Sequence, residues 1–162
     1  MSNGVKMIKE EAFRGCIRLK KIIFSSEIRK IGRGAFLGCS SLESVELPDR
    51  IDVIESCVFK DCTSLKSVDI PDSVCLIRKS AFENCSSLIS VTFPCNIIAI
   101  GEDAFSNCTS LTSVKLEGRK PPTLDPHAFY GATSLKNIYV PIESLDNYRK
   151  AKVWSNYNIQ PI

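Results

Sequence analysis

Apolar residues return along this chain in columns. Phe13, Phe36, Phe59, Phe82 and Phe105 stand 23 residues apart, and Phe129 follows after 24. Leu19, Leu42, Leu65, Leu88, Leu111 and Leu135 keep the same phase, as do Ile22, Val45, Val68, Val91, Val114 and Ile138. Ile8, Ile31, Ile54, Ile77 and Ile100 form a further column, while Cys16, Cys39, Cys62, Cys85 and Cys108 form another that ends in Ala132. Pro48, Pro71, Pro94 and Pro141 punctuate the series. A fixed period of this length, held in many columns at once, is the mark of stacked repeats.

One unit, from Ile51 to Pro71, reads I-x-x-I-x-x-x-V-F-x-x-C-x-x-L-x-x-V-x-I-P. Within Leu65-Lys66-Ser67-Val68-Asp69-Ile70 the last residues alternate apolar and polar, the period of a half-buried strand. Pro71 then ends the strand, because proline has no N–H to give to a ladder. The segment Gly101 to Cys108 is too short for a full helix, so one tight helical or 3₁₀ turn is expected there. A single unit cannot bury its own apolar residues, but stacked copies bury them against one another. The prediction is a solenoid of six rungs over residues 5–140, its strands about 4.8 Å apart in one parallel sheet.

Repeats of L-x-x-V-x-L-P, I-x-x-I-G and A-F-x-x-C-S-S-L, best seen in IRKIGRGAFLGCSSLESVELP (residues 28–48), closely resemble the BspA-like, or Treponema-type, leucine-rich repeats. The resemblance covers residues 5 to 140. It implies an α/β repeat solenoid, a right-handed superhelix with one parallel sheet and short turns. It also implies a non-enzymatic protein-recognition module, commonly on the bacterial cell surface or secreted and engaged in adhesion. An intracellular or regulatory scaffold is the alternative.

Both ends depart from the repeat. The sixth unit carries an extra residue in Glu117-Gly118-Arg119-Lys120-Pro121-Pro122, a stiff turn. Residues 141–162 place Leu145, Tyr148 and Lys152 on one helical face, followed by Trp154 and Tyr157, and read as a cap over the last rung. Its form, V-P, then an acidic, tyrosine-bearing helix, then a tryptophan, resembles Bacteroides members of the family. At the other end, the strand predicted over Leu19 to Phe24 presents a bare edge. Upstream trimming and homodimerisation through that edge are the two explanations. Met1 to Gly4 is compatible with a start set behind a removed leader, which leaves location open.

The chain has 162 residues, 44% of them hydrophobic, enough to bury a core without disulfides or metal. No apolar run is long enough to span a membrane, and the charged first twenty residues do not form an export signal's apolar core. Lysine and arginine number 21 against 18 acids, a net charge of +3 that does not point to nucleic acid. Residues 1–33 hold nine of those cations against three acids, but no series of stacking aromatic residues interleaves with them.

Chemistry-bearing residues are few. The five column cysteines read as small buried hydrophobes, with no C-x-x-C or histidine partner to suggest a metal, so no cofactor is expected. Cys57, Cys75 and Cys95 stand outside the column. His127, the only histidine, falls where other units have Gly34, Cys57, Ser80 and Asp103, and has no thiol or orienting group at catalytic spacing. Asn84-Cys85-Ser86 and Asn107-Cys108-Thr109 match the glycosylation sequon as by-products of the repeat. What remains is the outward face of the strands, where residues vary from rung to rung. Glu43, Glu46, Lys66, Asp69, Ile89, Thr92, Thr112, Lys115 and Tyr139 are the predicted partner-binding strip, and the expected partner is a protein.

Overall fold

A phenylalanine every 23 residues can stack on its own copies, and in the computed structural model, which describes residues 4–162, it does. The rings of Phe13, Phe36, Phe59, Phe82, Phe105 and Phe129 form one continuous pile with centroids 5.0–5.5 Å apart. Phe59 and its neighbours Phe36, Phe82 and Phe105 are fully buried. Removing one such ring leaves a cavity worth about 3–5 kcal/mol, because the rungs on either side are held apart by their own backbones. The Leu and Val columns bury beside the rings.

The long strands lie in parallel register. Ser44–Glu46 pairs with Ser67–Asp69. Ser90–Phe93, Ser113–Leu116 and Asn137–Val140 form a second block, joined by Ile159–Pro161 from the tail. The two blocks share no ladder, and Ile89 N–H donating to Lys66 C=O (3.2 Å) bridges them. The expectation of one parallel sheet is therefore extended in two ways. The sheet is split, and a second ladder of two-residue strands, Val53–Ile54, Leu76–Ile77, Ala99–Ile100 and Thr123–Leu124, runs along another side of the coil. Met7–Ile8 and Lys30–Ile31 form a separate pair in the same column.

Two further expectations are corrected. Leu19 to Phe24 does not form a strand. It makes a single parallel bridge, Lys21 to Ser44. The Gly-Ala-Phe segments are not helical either. The first five contain two left-handed residues each, such as Gly34 (φ 60°) and Gly38 (φ 72°), or Cys57 (φ 58°) and Asp61 (φ 61°), and the sixth contains one, Gly131 (φ 72°). A left-handed residue cannot propagate a right-handed helix, so the chain makes successive tight turns instead. Those turns also bond from rung to rung, as where Phe59 N–H donates to Ala81 C=O (2.8 Å).

Among the described residues helical structure is confined to the tail: 3₁₀ turns at Ile142–Ser144 and Trp154–Asn156 flank a short helix, Leu145–Lys150. Tyr148 is buried and Leu145 packs against the core, while Lys152 lies past the helix and is exposed. The Trp154 indole N–H donates to Pro122 C=O (2.7 Å) and the Tyr148 hydroxyl to Gly118 C=O (2.9 Å), so both side chains clamp the two-proline turn. Tyr157 meets Phe129 edge-on at 5.9 Å and closes the aromatic pile. The tail strand supplies a seventh coil to the stack. Met1 to Asn3, part of the sequence start discussed above, lie outside the described residues.

Candidate functional site

On each long strand the valine points inward and its neighbours outward, which places the predicted strip on one side of the coil. Glu43, Glu46, Lys66, Asp69, Ile89, Thr92 and Thr112 are exposed, and Lys115 and Tyr139 half-buried. Strand register puts Glu46 opposite Asp69, Thr92 opposite Lys115, and Lys115 opposite Tyr139. Several of these groups satisfy each other. Lys66 pairs with Glu43 (3.5 Å), Lys115 with Glu117 (3.1 Å), and the Thr112 hydroxyl donates to Ile89 C=O (3.1 Å). Glu46 and Asp69 stay unneutralised, since among the described residues neither joins an ion pair. Like charges on adjacent strands weaken the sheet, so the fold tolerates this pair and gains nothing from it.

The break between the two strand blocks divides the face. On the acidic side a groove of about 760 Å³ runs over Glu46 and Asp69, walled by Ile23, Phe24, Asp49 and Arg50. Ile23 is 84% exposed, more than any other exposed large hydrophobic among the described residues. On the other side Thr92, Lys115 and Tyr139 gather with Ile162 around a concavity of about 280 Å³. Glu43, Lys66, Ile89 and Thr112 line neither. Sequence reasoning missed Ile23, Phe24, Asp49 and Arg50, although Ile23 occupies the same outward position as Glu46 and Asp69.

The cysteine column is a hydrogen-bonded ladder. The thiols of Cys39, Cys62, Cys85 and Cys108 donate to the carbonyls of Phe13, Phe36, Phe59 and Phe82, each one rung back, at 3.1–3.3 Å. Burial pushes Cys62 and Cys108 up to about 12 and raises Cys39 and Cys85 as well. Nucleophilic and metal-binding cysteine requires thiolate, which burial opposes here. All eight thiols are free, Cys16 and Cys95 exposed and Cys57 and Cys75 half-buried. Among the described residues no group of three or more metal-ligating side chains converges.

His127 is exposed and lies 3.7 Å from Asp125, with no thiol among its partners. In its column Gly34 and Ser80 are buried, and Gly34, Cys57, Ser80 and Asp103 are left-handed where His127 is not. Both polar atoms of the Asn84 amide are engaged: Nδ2 donates to Asp61 (2.6 Å) and Oδ1 accepts from Asn107 (3.0 Å).

The sequence model of the BspA type leucine rich repeat region matches in six copies, over residues 1–112 and 52–160. Among curated proteins, none matches. Among solved structures, a leucine-rich repeat protein of Treponema pallidum is 24% identical, with a TM-score of 0.65, and the match covers 99% of this chain and 66% of that one. A leucine rich cell surface protein of Faecalibacterium prausnitzii is 18% identical, with a TM-score of 0.49 and coverage of 97% and 69%. A leucine-rich repeat protein of Bacteroides ovatus is 19% identical, with a TM-score of 0.42 and coverage of 98% and 64%. The chain thus spans about two thirds of the length of each, and the Treponema structure shares its fold.

Proposed function

The chain belongs to the BspA-type leucine-rich repeat family, and on that premise we propose that it is a non-enzymatic protein-recognition module, acting in adhesion at the cell surface or after secretion. The observation that carries the reading is the strand face itself. Rigid in-register rungs display side chains that the core does not dictate, and they change in charge from Glu46 and Asp69 to Lys115 and Tyr139. Such a face recognises a partner by shape and charge, with rate and specificity set by electrostatic complementarity. The surface location rests on family membership. Among the described residues no helix is long and apolar enough to cross a membrane. The free thiols favour the second reading, an internal scaffold, because cysteine remains reduced inside most cells.

Two experiments test these statements. Protease shaving of intact cells that express the full gene should remove this domain before lysis; survival until lysis overturns the surface reading and leaves the scaffold. Once a protein ligand is captured, Glu46→Lys with Asp69→Lys should weaken it by about tenfold or more, the scale of a reversed charge pair at an interface. Unchanged affinity would remove this strip from the binding site.

A further inference from the structure

The row that contains the unneutralised acids also contains Ile23. The 23-residue period puts Ile23 in the outward row of Glu46 and Asp69, two residues beyond the Lys21 to Ser44 bridge; strand register sets Glu46 opposite Asp69, and all three line one groove. Rungs about 4.8 Å apart place Ile23 about 7 Å from the midpoint between the two carboxylates. In an extended peptide, side chains two residues apart point the same way and stand about 6.6–6.8 Å apart. The two spacings match. A chain laid across the rungs sets one side chain on Ile23 and Phe24 and, two residues on, another between Glu46 and Asp69.

Resting on the reading of this face as a binding surface, we propose that the acidic groove takes an extended protein segment carrying an aliphatic residue and, two positions along, an arginine or lysine. Charge complementarity fixes the cation: two carboxylates without a partner cation face the groove, and a guanidinium spans a pair of them with its forked donors. Apolar contact fixes the aliphatic residue, since Ile23 is 84% exposed and forms one wall with Phe24. Lys21 and Arg50 also line the groove and disfavour a second cation beside the first.

The test uses the whole chain, isotope-labelled, in an NMR titration with the capped peptide Gly-Leu-Ser-Arg-Ser-Gly. The expected result is saturable shifts at the amides of Ile23, Glu46 and Asp69. Binding should weaken about tenfold in Glu46→Gln with Asp69→Asn, and comparably in Ile23→Ser, each the loss of one good contact. All three side chains are exposed, so the variants keep the fold, which their unchanged spectra elsewhere will verify. A peptide with glutamate in place of arginine, or with leucine adjacent to arginine, should bind more weakly. Absence of saturable shifts, or full binding by the Gln/Asn variant, overturns the proposal. If the peptide fails while charge reversal at Glu46 and Asp69 still abolishes capture of a protein ligand, the face stands and this recognition pattern falls. If the peptide binds as expected while charge reversal leaves that ligand's capture intact, the pattern stands and the broader reading of the strip falls.

Discussion

Cys62 occupies a site where its own chemistry is switched off. It is fully buried, its thiol donates to the Phe36 carbonyl, and burial lifts it to about 12. The same holds in kind for Cys39, Cys85 and Cys108, whereas Cys16 in the first rung and Cys95 in a loop are exposed. Alkylation of the native chain at neutral pH should therefore mark Cys16 and Cys95 first, Cys57 and Cys75 more slowly, and the four ladder thiols only after unfolding. Peptide mass spectrometry reads this order, and early labelling of Cys62 or Cys85 would refute the burial argument. That these cysteines sit in the core was legible, because a small apolar residue recurring in phase with Phe and Leu has nowhere else to go. Their bonds to the Phe carbonyls were not, since backbone acceptors leave no trace in residue identity. The left-handed column was hidden for a related reason: glycine, cysteine, serine and aspartate at positions 34, 57, 80 and 103 share a backbone geometry and no side-chain property.

At the scale of the element, neighbouring rungs from the first to the fifth are stapled by ion pairs 23 residues apart. Lys60 with Glu83 (2.8 Å) is the least exposed of them, with Lys79 and Glu102 (2.7 Å) and Arg78 and Glu55 (3.2 Å) beside it. Burial alone would raise Glu83, but the hydrogen bonds from Lys60 and Ser80 and the nearby lysine charges outweigh it, and its carboxyl is held below the ordinary range. A carboxyl depressed in the folded state stabilises the fold above the unfolded value of about 4.3, and that contribution disappears as pH falls through the lower folded value. Glu83→Gln should accordingly cost about 1 kcal/mol or less at neutral pH and nothing in strong acid, as measured by denaturant midpoints across that range. A gap that persists in acid would assign the loss to packing. Strand positions and the prolines that end them could be read from the two-residue alternation. The ladder at Val53–Ile54 and its copies could not, because two residues are too few to show a period.

Across the whole molecule the solenoid and the stacked aromatic pile follow from the repeat, and its failure after Pro141 leaves room for Tyr148 and Trp154 to bond the two-proline turn. The face is only half legible in the same way. Its outward rows could be counted off, but the division between Asp69 and Thr92, with an acidic groove on one side and Lys115 with Tyr139 on the other, arises from how the strands pair. The two ends of this chain are also unlike. Phe13, Leu19 and Ile22 remain part-exposed in the first rung, while the last is locked by buried aromatic side chains hydrogen-bonded to the two-proline turn. In a one-dimensional stack, stability is the sum of each rung and its interfaces, so the rung with one neighbour opens first. Denaturation should then run like a zipper from the Phe13 end, and the lone tryptophan, Trp154, sits at the far end of the track. Its fluorescence reports the last event, so in a denaturant series the circular dichroism curve should move ahead of the emission curve. Coincident curves would mean that the pile melts as a single block, and that the part-exposed first rung costs this chain nothing.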